Sequence, residues 1–217
     1  TNPTHPVVKL LESKGWLGSV EAHHLGTIQA VNEPKSQKIL DVCNFLNLNM
    51  KDLVNGIIIP IEFRHKLIGF QIRATELNTL EDRKYKTYLT TNKGLFNLDP
   101  INSALPLYIV EGASSVIVMH NFGETNAVAT LGNGLNDGQY EALLNKDVKE
   151  AILIYDNDEG GDLGRKRACE TFVGRNDIKL SFKLLDKEND PADYVMAGKK
   201  LAELPTISLW QYLIKQN

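Results

Sequence analysis

The chain has 217 residues, with 24 basic against 27 acidic side chains, 42% hydrophobic residues and 24% charged residues. That balance excludes a disordered, collagen-like or coiled-coil chain. No apolar run approaches the roughly 18 residues of a membrane helix, and a net charge of −3 excludes binding to duplex DNA by bulk attraction alone.

Pro6–Gly15 carries Val7, Val8, Leu10 and Leu11, which predicts a short helix stopped by Gly15. Lys35–Val54 has Ile39, Leu40, Cys43, Leu46 and Leu53 at helical spacing. Gly56–Ile61 and Leu67–Ile72 flank the polar Arg64-His65-Lys66, a hairpin signal, and Pro60 marks an edge or bulged strand. A polar, Thr- and Asn-rich stretch runs from Ala74 to Asn102. From Ser103 short apolar runs alternate with helical segments. Strands are expected at Leu107–Val110, Ala127–Leu131, Ala151–Tyr155 and Leu180–Leu185, each followed by a polar turn and a helix. The fold class is therefore α/β. A mixed N-terminal α/β subdomain over 1–102 carries the basic hairpin and loop. A Rossmann-like, mainly parallel unit comes next over 103–198, then a helical tail over 199–217.

In such a sheet ligands bind beyond the carboxyl ends of the strands. Glu111 directly follows the first of the four strands and Asp156 the third, with Asp158 two residues on. Three carboxylates gathered there repel unless a cation joins them, and hard oxygen ligands select Mg²⁺ or Mn²⁺. The blander alternative is that these acids cap helices, with Asp162 able to cap the helix through Phe172 unaided. Between Arg64 and Lys93 stand seven basic residues against three acidic ones, a polyanion-binding signal or simply a solvated face. Tyr85 and Tyr88 suit either base stacking or packing. The five histidines lack ligand spacing, and two cysteines, Cys43 and Cys169, suffice neither for a disulfide framework nor for a cysteine-rich zinc site. A reducing, cytoplasmic setting fits that usage. The opening Thr-Asn-Pro-Thr reads as a piece of a longer polypeptide.

Tyr108-Ile-Val-Glu111-Gly112 and Tyr155-Asp156-Asn157-Asp158-Glu159-Gly160-Gly161 resemble the toprim domain of primases, topoisomerases and some nucleases. Four further stretches are similar to the RNA polymerase core of DnaG-type primases and of phage primase-helicases. They are Ile59-Pro60-Ile61 with Ile68–Arg73, Lys84–Leu89 followed by Leu95-Phe96, Ala127–Gly134, and Glu188–Asp193. The resemblance covers about residues 56–197. Two positions depart from it: Ser115 stands where the motif usually carries Asp, and Ala192 where it carries the second Asp, with Asp193 one residue later. Both weaken a second metal site.

The resemblance implies a DNA primase, a nucleotidyltransferase that makes RNA primers on a single-stranded DNA template from ribonucleoside triphosphates. Glu111 would then lie nearest the attacking hydroxyl, as ligand or base. Asp156 and Asp158, completed by Asp190, would hold Mg²⁺ or Mn²⁺. Arg73, Lys84, Lys86 and Lys93, with Gly112, Gly132 and Gly134, would meet nucleotide or template. The implied partners are template, triphosphates and a replicative helicase, fused or separate, but no membrane. The family's zinc-binding template-recognition domain is absent from this chain, which has no structural zinc. The implied location is the cytoplasm of a bacterial or phage-infected cell. The alternatives are another toprim enzyme, such as a nuclease, and a non-catalytic toprim module that binds nucleic acid or a replication partner.

Overall fold

The structure, a computed structural model, describes residues 6–27, 44–45, 53, 55–76, 83–92, 94–132, 134–185 and 190–216. The helix expected over 35–54 lies almost wholly outside them, as do Lys93 and Asn133. The chain divides into two compact units, Thr1–Thr91 and Asn92–Asn217.

In the first unit, helix α1 (Pro6–Ser13) ends where the sequence predicts. Gly15 takes a left-handed φ of 67°. Its N–H donates to the Glu12 carbonyl at 3.0 Å, and that of Trp16 to Leu11 at 2.8 Å, the paired bonds of a Schellman cap. Strands β1 (Ile57–Phe63), β2 (Lys66–Arg73) and β3 (Tyr85–Leu89) form an antiparallel sheet in the order β1-β2-β3. Arg64 and His65 both have positive φ, 53° and 57°, giving the two-residue turn whose twist matches the flanking strands. β1 is an edge strand with a register shift between Ile61 and Glu62. The Ile58 N–H pairs outward with Gly26 at 2.7 Å. Pro60, two residues on, presents the same edge without a donor, so pairing stops there. Strand β3 lies inside the stretch read as polar loop. Its alternating Tyr-Lys-Thr-Tyr favours a strand, and β2 supplies the partner edge.

The second unit holds a five-stranded sheet in the order β5-β4-β6-β7-β8. Its parallel strands are β4 (Leu107–Val110), β5 (Ala127–Ala129), β6 (Glu150–Leu153) and β7 (Lys179–Lys183). The connecting helices are α2 (Ala113–Asn121), α3 (Asp137–Leu144) and α4 (Glu159–Phe172), with α5 (Pro191–Met196) after β7. Leu107, Ile109, Val110, Ala151, Leu153 and Phe182 are at most 1% exposed, as strands covered on both faces require.

Two sequence expectations shift. The boundary placed at residue 102 falls at Thr91, because Phe96 pairs with Ala129 on the outer edge of β5 and so ties residues 92–102 to the second unit. The tail over 199–217 is not wholly helical. It adds β8 (Thr206–Ser208) antiparallel to β7 before helix α6 (Leu209–Gln216). Buried Lys183 holds the tail, donating to the carbonyl oxygens of Ala202 and Leu204. Among the described residues no helix is long and apolar enough to cross a membrane.

Candidate active site

The strand order determines where the second unit can bind a ligand. From β4 the chain passes through α2 to β5 on one side, whereas from β6 it passes through α4 to β7 on the other. The reversal falls between β4 and β6, and a crevice opens there at the carboxyl ends. Ile109 pairs with Leu153, so two residues further along each strand Glu111 lies level with Tyr155, and Asp156 comes next. Glu111 is also fixed from β5: its carbonyl accepts from the Leu131 N–H at 2.8 Å. Leu131 itself has a φ of 63°, a strained conformation for a bulky side chain and one that clusters at functional turns.

After β6 the chain turns tightly into α4. Asp158 is the N-cap, its Oδ1 accepting from the Gly161 N–H at 2.8 Å. Asp162 is not the cap; it pairs with Arg165 at 2.7 Å. A Cβ on Gly161 would lie 1.9 Å from the Asp156 carbonyl oxygen, so only glycine lets the helix start against that loop. Gly134, with φ 102°, is required for a similar reason, since a Cβ there would sit 2.8 Å from that of Arg167.

The electrostatics single out Glu111. It is half-buried, and burial first, then the charges of Asp156 and Asp158, push its carboxyl up from 4.5 to about 7, while Arg165 opposes the rise. Its Oε1 is buried without a hydrogen-bond partner among the described residues. An orphaned carboxylate oxygen beside two further acids is the donor set a hard divalent ion takes. Among the described residues no three His, Cys, Asp or Glu side chains are drawn together into a formed metal cluster. Like charges spread until a cation offsets them, and Asp158 meanwhile spends an oxygen on its cap. The donor chemistry therefore fits Mg²⁺ or Mn²⁺, with the acids near enough to feel one another but not yet converged.

Residues 108–195 match a family model described as Toprim-like. A DNA primase of Deinococcus radiodurans is 30% identical over 145 residues, covering 61% of this chain and 24% of that protein. One from Clostridium acetobutylicum is 30% identical over 160 residues, covering 68% and 26%. This chain thus spans about a quarter of the length of the curated relatives it matches. Among solved structures, a DNA primase domain from Pseudomonas aeruginosa superposes with a TM-score of 0.82 at 21% identity, over all of this chain and 77% of its own. The E. coli primase catalytic core gives 0.77 at 21%, over all of this chain and 78% of its own. The chain has the DnaG-type primase core fold, with a toprim domain.

Within the toprim domain the other expected residues take varied places. Asp190 caps α5, accepting from the Asp193 N–H at 2.8 Å. Ser115 is buried in α2 and Ala192 in α5, so neither stands in for a missing acid. Gly112 is the N-cap residue of α2. Gly132 is exposed and its carbonyl accepts from Thr130 Oγ1 at 2.9 Å. Four residues that matter to the site carried no expected role. Buried Tyr155 donates to Thr130 Oγ1 at 3.4 Å. The buried side-chain amide of Gln139 donates to the carbonyls of Thr130 (2.9 Å) and Gly94 (2.8 Å), fixing the β5 turn. Arg165, buried on α4, donates to the carbonyls of Tyr155 and Asp156. The glycine at 164, where a Cβ would lie 2.6 Å from the Tyr155 ring, was the one available signal of that close packing.

In the first unit the expected nucleotide-binding cations divide between the two faces of the sheet. Arg73 pairs with Tyr85 and Ile57, faces the core at 7% exposure, and lies between the rings of Tyr85 (4.8 Å) and Trp16 (5.7 Å). Lys86 pairs with Ile72 on the opposite face, its Nζ 5.4 Å above Tyr88. Lys84 is exposed, with its Nζ 5.7 Å from the Tyr85 ring.

Proposed function

We propose that this chain is the nucleotidyl-transferring core of a DNA primase, joining ribonucleoside triphosphates into short primers on single-stranded DNA. The observation that carries the reading is Glu111: a half-buried carboxyl with an orphaned oxygen, at the switch point of the parallel sheet, raised toward neutrality beside Asp156 and Asp158. A carboxyl titrating near 7 is matched to accepting a proton from an attacking 3′-hydroxyl. Asp156 and Asp158, with Asp190 contributing from the head of α5, are the residues that would hold Mg²⁺ or Mn²⁺. Bound there, the ion would lower the hydroxyl's pKa and offset charge on the departing pyrophosphate. The side chains themselves fix direction. Arg165 and Gly161 hold the Asp156 loop, and Leu131 holds the Glu111 backbone. Preorganisation of this kind supplies most of the rate in phosphoryl transfer.

Template and triphosphate would be met by Lys84, Lys86 and Lys93, with Arg73 acting through Tyr85 rather than by direct contact. A solved primase catalytic domain of the same fold, TM-score 0.74 at 20% identity, is bound to single-stranded DNA, which supports that partner. A helicase and a zinc-binding template-recognition module would act beside this chain, in the cytoplasm of a bacterial or phage-infected cell.

The test is dinucleotide synthesis from labelled triphosphates on a single-stranded oligonucleotide, with Mg²⁺ or Mn²⁺. Metal-dependent product is expected. Shortening of the labelled template instead would identify a nuclease. A non-catalytic module is the second reading, favoured by the use of Asp158 and Asp190 as helix caps, and template binding without either product would select it.

A further inference from the structure

We infer that Arg165 is a positioning residue for the acidic turn. This rests on the reading of that turn as a metal-holding site.

The side chain of Arg165 is 7% exposed and spends its donors in one direction. Nη1 donates to the carbonyl oxygens of Tyr155 (3.2 Å) and Asp156 (3.1 Å), and Nη2 to Asp162 Oδ1 at 2.7 Å. The two carbonyls lie just past the last paired residue of β6, where no neighbouring strand answers them, and buried carbonyls need partners. A planar fork reaches two adjacent acceptors together, which a lysine ammonium does not reproduce. Burying a cation on a helix is costly, and the amphipathic pattern would be served as well by an apolar residue. The arginine is explained by what it holds. The strut thus runs from Arg165 on α4 to the loop that carries Asp156.

A positioning role and a mere counter-charge role predict opposite signs. Removing a positive charge beside acids tightens cation binding if charge is all Arg165 supplies. Releasing the loop weakens it. The experiment uses the full chain and Mn²⁺ alone, with free Mn²⁺ read by electron paramagnetic resonance and amide hydrogen exchange monitored across residues 155–161. Arg165→Met and Arg165→Lys are both expected to raise the Mn²⁺ Kd about tenfold or more, the cost typical of losing an outer partner of a metal site. Both should speed exchange in that segment. Tighter or unchanged Mn²⁺ binding in Arg165→Met, or wild-type binding in Arg165→Lys, overturns the inference. Should the wild-type chain bind no Mn²⁺, the metal-site reading fails by itself. Exchange then decides the strut: faster exchange at 155–161 supports it and unchanged exchange overturns it. If Arg165→Met does not fold, Arg165→Lys carries the same decision.

Discussion

Each of the two units buries an arginine, and each satisfies it differently. In the first unit Arg73 is held by its flat faces, stacked against Trp16 and Tyr85. Its Nε and Nη1 are buried without a hydrogen-bond partner among the described residues. In the second unit Arg165 is held by its donors, which end on two backbone carbonyls and a carboxylate. The stacked arginine fills volume and could be exchanged for an apolar residue. The forked one ends on polar groups at the acidic turn. The same contrast runs through both regions: the antiparallel sheet organises surfaces, and the end of the parallel sheet organises chemistry.

If that division holds, the largest effects belong to the acids. Asp156→Ala and Glu111→Gln should each lower dinucleotide synthesis on the order of 1,000-fold or more, as losing a preorganised charge does, with the fold intact by circular dichroism. Activity within tenfold of wild type in either would break the site assignment. The arginines come next. Arg165→Met removes the donor from one buried and one part-buried carbonyl and should cost about 2–4 kcal/mol in urea unfolding. Arg73→Met forfeits two ring contacts of about 0.5–2 kcal/mol each but relieves buried donors worth a similar amount. Its midpoint should therefore stay near wild type. Equal losses in the two variants would erase the contrast.

Much of the second region was legible in the chain because short apolar runs alternating with helices force a parallel sheet, and such a sheet brings the residues just past its strand ends to one rim. Chain order alone puts Glu111 and Asp156 just past strand ends, where the structure has them. It does not say which acid caps α4, since Asp158 and Asp162 both suit that role. The choice depends on a three-dimensional detail, the approach of Gly161 to the Asp156 carbonyl. Arg165 in Gly164-Arg-Lys-Arg167 reads as one of three solvated cations, and only packing tells it from its neighbours. The first region was less legible for a physical reason. Strand alternation says which residues share a face but not which face is covered, so Arg73 and Lys86 looked alike. Likewise β3 and β8 are edge strands whose existence depends on a neighbour distant in sequence.

A smaller effect separates the regions by pH. Glu111 is raised from 4.5 to about 7, by burial first and by Asp156 and Asp158 next. Between those values the folded chain keeps a proton that the unfolded chain has released. The native state therefore binds more protons, and stability falls as pH rises through that window. Without metal, urea midpoints measured at pH 5, 6.5 and 8 should decline for the wild type relative to Glu111→Gln, and Mg²⁺ should restore the wild type at pH 8. Parallel curves for the two proteins would remove the electrostatic reading of the rim.

The smallest effect concerns Lys86. Its ammonium lies over Tyr88 on the face of the first sheet away from Arg73, a half-exposed pairing worth about 0.5–1 kcal/mol. A cation beside an aromatic ring suits one phosphate and one stacked base of a single strand. Lys86→Ala should therefore weaken single-stranded DNA binding severalfold and lower the salt slope by about 0.7, one phosphate contact. Arg73→Met should leave that slope unchanged, because a guanidinium enclosed by two rings releases no counterion when template binds. Were Arg73→Met to flatten the slope and Lys86→Ala to leave it intact, the enclosed arginine and the half-exposed lysine would have to exchange roles.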